Sequence, residues 1–97
     1  MNKLEKYRHG ILVADDSEHD RFLLRNAVDS SVSLRFIAGV PDGAGVVAYL
    51  RGEGEFADRR KFPIPELLVL DLNMPCLDGF EVLEWLKTQR LDRKSVV

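Results

Sequence analysis

GILVADDSEHDRFLLRNAVD (residues 10–29) decides the fold. Its first five residues, Gly10 to Ala14, form a short apolar run that is closed by two aspartates. A run of that length reads as a strand buried on both faces, although periodicity alone also allows a helix segment. Ser17 then offers an N-cap, with Glu18 and Asp20 placing negative charge in the first turn. Leu23, Leu24, Ala27 and Val28 follow at helical spacing through about Asp29, so a helix with one apolar face is predicted.

Working outward, the same alternation repeats. Ser33 to Ala38 (SLRFIA) reads as a second strand with Leu34 and Phe36 on one side, and Gly39 to Gly43 (GVPDG) as a turn. Val46, Val47 and Leu50 mark a second helix that ends near Gly52. Residues 52–65, with two glycines, two prolines and a charge cluster, read as an unusually long loop. Glu66 to Asp71 (ELLVLD) is the third and most hydrophobic strand. A loop over Asn73 to Leu77 and then Asp78-Gly79 lead into a helix whose apolar face is Val82, Leu83 and Leu86. Strand–helix alternation of this kind predicts an α/β fold, a doubly wound parallel sheet covered on both faces.

Length and composition agree. With 97 residues, 45% hydrophobic and a net charge of −2, the chain is expected to form one globular domain rather than a disordered segment. Its longest apolar runs are far short of the roughly 18 residues of a membrane span. The polar opening MNKLEKYRHG is not that of a signal peptide, and Cys76 is the one cysteine. The expected compartment is the cytoplasm. A pI near 5.6 argues against a dedicated nucleic-acid binder, and no G-x-G-x-x-G follows the first strand to suggest a dinucleotide.

Ligands of doubly wound sheets sit beyond the carboxyl ends of the strands. Here those ends are Asp15-Asp16 and Asp71. If the two strands are neighbours, about 4.8 Å apart, the three carboxylates converge. Like charges so placed repel, and a hard divalent cation relieves the repulsion. Mg²⁺ suits the donor set, since it takes oxygen ligands and keeps several waters. A carboxylate beside such an ion can also attack phosphorus and become an aspartyl phosphate. Taken singly, each feature also has a plain reading: adjacent aspartates form solvated turns, and a lone Asp71 would cap the turn after its strand.

The run ILVADDSEHDRFLLRNAV, the segment LLVLDLNMPCLDGFEVLEWLK and the 55-residue spacing of Asp16 and Asp71 together resemble a receiver domain of bacterial two-component response regulators. The long insert before the third strand, preceded by YLRGEGEF, resembles the subgroup that includes phytochrome-associated regulators. The resemblance implies a flavodoxin-like receiver fold, of which about three of five strand–helix units lie within residues 1–97. It also implies Asp71 as phosphoacceptor, Asp16 as direct Mg²⁺ ligand, Asp15 as an acid holding the ion through water, and Asn73 as donor of a backbone carbonyl. Met74 lies beside the implied pocket, and Pro75, Asp78 and Gly79 match the turn that shapes its loop. The implied partner is a sensor histidine kinase or a phosphotransfer protein. The implied chemistry is self-phosphorylation and self-dephosphorylation rather than that of a conventional enzyme, with no nucleic acid or membrane bound by these residues.

The family's Ser/Thr after strand four and Lys after strand five have no counterpart, and neither Lys87 nor Lys94 matches the latter. The natural chain is therefore expected to continue past Val97. A chain ending there would leave the third strand as a sheet edge and favour a homodimer. A competing function is a pseudo-receiver, an interaction module without phosphotransfer; a third is a stand-alone aspartyl-phosphate hydrolase. Of the remaining residues, His9 and His19 read as surface groups. Cys76 reads as a loop thiol, Trp85 as a partly buried aromatic off the main stripe, and Arg59, Arg60 and Lys61 as a solvated loop.

Overall fold

The structure, a computed structural model, describes residues 8–71, 74 and 79–88. Its centre is β1 (His9–Ala14), in which Ile11, Leu12, Val13 and Ala14 are all buried. Ile11 and Val13 point to one side, where they pack with Val28 of α1 (Glu18–Asp29). Leu12 and Ala14 point to the other and meet Val46, Tyr49, Val82 and Leu86. The last four lie on α2 (Gly43–Arg51) and α3 (Gly79–Thr88), so helices cover both faces as the alternation predicts. Each fully buried Val, Leu or Ile contributes about 1.5–3 kcal/mol, which makes β1 the largest single stabilising strand.

β2 (Leu34–Val40) and β3 (Leu67–Leu70) flank β1 in the order β2-β1-β3, and both pairings are parallel. The second strand runs two residues further than expected, and Gly39 and Val40 belong to it rather than to the turn. The cause is an irregularity in register. Phe36 pairs with Ile11 and Ala38 with Leu12, leaving Ile37 as an extra residue. Such a bulge inverts the alternation beyond it. Leu34 and Phe36 therefore face α1, whereas Ala38 and Val40 face the α2 side.

The helix limits follow from caps. Ser17 Oγ accepts from the Asp20 amide at 3.2 Å, and an Asp42 carboxylate oxygen accepts from the Gly45 amide at 2.8 Å. Gly52, at φ +68°, closes α2 in a left-handed conformation that suits glycine.

The segment 52–65 is not a plain loop. It contains a 3₁₀ turn at Gly54–Ala57, and Phe56 and Phe62 pack against Tyr49 with ring centroids 4.9 and 6.0 Å away. Arg59 corrects the solvated-loop expectation. Half-buried, it donates to the Leu50 carbonyl at 2.9 Å and to the Phe62 carbonyl at 3.1 Å, with its guanidinium 5.8 Å from the Tyr49 ring centroid. Arg60 and Lys61 are exposed, as are His9 and His19. Trp85 is half-buried against the α2–α3 core.

Candidate functional site

Register builds the site. Ala14 of β1 stands opposite Leu70 of β3 and opposite Val40 of β2, so all three strands end level. The ladder then continues one step. The Asp71 amide donates to the Ala14 carbonyl at 2.9 Å, and the Asp15 amide to the Val40 carbonyl at 3.1 Å. Asp15 and Asp71 are thereby fixed by backbone hydrogen bonds on adjacent strands, with Asp16 one residue further along.

One carboxylate oxygen from each of Asp15, Asp16 and Asp71 lies within 4.8 Å of the others. Asp15 and Asp71 are half-buried, whereas Asp16 is exposed. The Asp15 carboxylate accepts from the Ser17 amide at 3.0 Å, so the residue that caps α1 also orients an acid. Met74 is buried in the core cluster that contains Ala14 and Val40. The geometry suits a small divalent cation. Oxygens on adjacent or opposite vertices of an Mg²⁺ octahedron are separated by about 3–4 Å at bond lengths near 2.1 Å. At separations of up to 4.8 Å, the three acids would draw together to bind such an ion directly.

The chain is 35% identical over 86 residues to response regulator Rcp1 of Synechocystis sp., covering 89% of this chain and 56% of Rcp1. It superposes with a TM-score of 0.71 on the crystal structure of a phosphorylated cyanobacterial phytochrome response regulator, RcpA. Identity there is 36%, over 91% of this chain and 59% of RcpA. The chain is a response-regulator receiver domain of the phytochrome-associated group. A crystal structure of the Mn²⁺-bound form of Rcp1 matches with a TM-score of 0.67 and 33% identity, over 82% of this chain and 55% of that one. No protein-family model matches the chain. The chain thus spans little more than half the length of these relatives. Receiver domains are modules of two-component signal transduction.

Of the residues singled out from sequence, Asp15, Asp16 and Asp71 are brought together. Asn73, Pro75, Cys76 and Asp78 lie outside the described residues. Among the described residues, no helix is long and apolar enough to cross a membrane. One participant was not anticipated. Arg21 of α1 reaches back and donates through Nη1 to the Asp15 carbonyl at 2.7 Å. Its signal in the sequence is position: long helical side chains lean toward the helix N-terminus, and Arg21 stands four residues after the cap.

Proposed function

We propose that this receiver domain accepts a phosphoryl group on Asp71 from a phosphohistidine of a sensor kinase or phosphotransfer protein, with Mg²⁺ as cofactor. The observation that carries the reading is the convergence of three carboxylates, within 4.8 Å, at the level ends of β1 and β3. Two relatives add support: one is described as phosphorylated, another as Mn²⁺-bound.

Asp15, Asp16 and Asp71 would hold the ion, with the backbone carbonyl of Asn73. Bound there, Mg²⁺ supplies positive charge to the acids and to the incoming phosphoryl oxygens. A carboxylate oxygen of Asp71 attacks phosphorus, forming an O–P bond as the N–P bond of the phosphohistidine breaks. The imidazole nitrogen keeps the electron pair. The product is an acyl phosphate; attack of water on its phosphorus breaks the acyl O–P bond, releases inorganic phosphate and regenerates the carboxylate. Asp15, held by the Ser17 amide and by the ladder bond to Val40, keeps its carboxylate aimed at this spot.

Incubation with Mg²⁺ and acetyl phosphate, read by intact mass, tests the proposal. One phosphoryl addition that needs the ion and disappears in Asp71→Asn is expected. Cation binding without any addition would favour the pseudo-receiver instead.

A further inference from the structure

α1 carries more than a packing face. Arg21 Nη1 bonds the carbonyl of Asp15, the first acid of the site, at 2.7 Å. To reach it, the side-chain stem crosses the end of β2 at Gly39. A Cβ placed on Gly39 would lie 3.2 Å from Arg21 Cδ and 3.2 Å from Phe36 Cζ. The bulge at Ile37 turns Gly39 to the α1 side. An exposed strand position is therefore occupied by a residue with poor strand propensity, at a place where a side chain would crowd the arginine.

We infer that Arg21 is a positioning residue for the acidic site, acting through the Asp15 carbonyl, and that Gly39 is the slot admitting it; this rests on the reading of Asp15, Asp16 and Asp71 as a cation site. The backbone of Asp15 is held at both of its polar groups. Its N–H is bonded to Val40 of β2, and its C=O to Arg21 of α1. That double hold fixes the direction in which the chain leaves β1, and with it the placement of Asp16, an exposed residue.

The sign of the effect separates positioning from charge. Removing Arg21 takes a positive charge away from a cation site, which by Coulomb's law alone strengthens cation binding. Loss of positioning weakens it, typically by tenfold or more when an outer partner of a metal ligand is removed. Calorimetric titration with Mg²⁺ is therefore expected to show about tenfold weaker binding in Arg21→Met, which keeps the stem and loses the donor. Gly39→Val, a change that favours a strand, is expected to weaken binding in the wild-type background and to add nothing in Arg21→Met. Amide hydrogen exchange of Ser17, whose N–H bonds the Asp15 carboxylate, reads the same loop without any cation. It is expected to accelerate in both single variants.

Unchanged or tighter Mg²⁺ binding by folded Arg21→Met overturns the inference, as does an equal Gly39→Val effect in both backgrounds. If Arg21→Met does not fold, Gly39→Val decides alone, and unaltered affinity and Ser17 exchange in it overturn the inference. If the wild type binds no Mg²⁺, the cation reading falls, while Ser17 exchange still decides whether Arg21 sets the loop.

Discussion

At the start of β1 and β3 a histidine meets a glutamate, whereas at the far end of the same two strands three aspartates meet one another. His9 and Glu66 form an ion pair or hydrogen bond in which both side chains are about 60% exposed. Asp15, Asp16 and Asp71 bring like charges within 4.8 Å. Strand spacing and register are common to both ends, so backbone geometry alone does not explain the difference. A stability argument explains the first end and fails at the second, because like charges gathered on adjacent strands oppose folding. On the proposed function, the acidic end is where a cation and a phosphoryl group are received. The two ends thus separate what serves the fold from what serves function.

The sharpest way to break that contrast is at Asp71. On the proposed function Asp71→Asn abolishes phosphoryl addition completely, while circular dichroism stays that of the wild type. Labelling of the mutant at the wild-type level would place the acceptor elsewhere. Asp16→Asn is next. It is expected to weaken Mg²⁺ binding tenfold or more, since one of few carboxylates is lost. Without the ion, the same change should leave the protein as stable as the wild type or up to about 1 kcal/mol more so, because repulsion is relieved. Thermal melts with and without Mg²⁺ read both effects, and the ion should raise the wild-type melting temperature more than the mutant's. A substitution that destabilises the cation-free protein would contradict the account of the acidic end.

How much of this was legible beforehand differs by element. The GILVA run, the Ser17 cap and the Val82–Leu86 stripe are local patterns, and each became the predicted element. The acids were legible because a parallel sheet puts strand ends together, and register needed only to be level. The extension of β2 was not, since a bulge at Ile37 is set by pairing with β1 and leaves no mark in SLRFIAGV. Arg59 was misread as solvated because its partners, two carbonyls and an aromatic ring, come from residues that only the folded insert brings around it. Arg21 has the same history. A guanidinium bonded to a backbone carbonyl has no partner residue type for a motif to show.

Tyr49 extends the comparison to a group handled in a third way, by being kept neutral. Its side chain is fully buried and its hydroxyl donates to the Pro63 carbonyl at 2.8 Å. Burial pushes its pKa up to about 12, against an opposing influence from Arg59 and Arg35. The unfolded chain therefore loses this proton near pH 10 while the folded one retains it. Bound protons are then fewer in the unfolded state, so stability falls as pH rises from about 10 to 12 and is unaffected by this group below that window. The loss amounts to about 2 kcal/mol by the upper limit. Denaturant melts across this range should show a steeper decline for wild type than for Tyr49→Phe. At neutral pH that variant should be about 1 kcal/mol less stable, because the Pro63 carbonyl loses its donor.

The smallest effect belongs to the paired end. His9 and Glu66 lie in solvent, where an ion pair gains little over hydration and ordering two side chains offsets much of the gain. The backbone at this point is held independently. The Glu66 amide donates to the Gly10 carbonyl at 2.9 Å, and the His9 amide to the Ser33 carbonyl at 2.8 Å. Glu66→Gln is therefore expected to change stability by less than about 0.5 kcal/mol near pH 7. Mg²⁺ affinity should not change at all, because the pair sits at the opposite end of β1 and β3 from the acids. A denaturant melt and a calorimetric titration of this one variant check both statements. A loss above 1 kcal/mol would mean that charge at the start of the strands also holds the sheet together, and a shifted Mg²⁺ affinity would mean that the two ends are coupled through β1. The second result would dissolve the division between a structural end and a functional one; the first would place more of the fold's stability at the structural end than an exposed pair supplies.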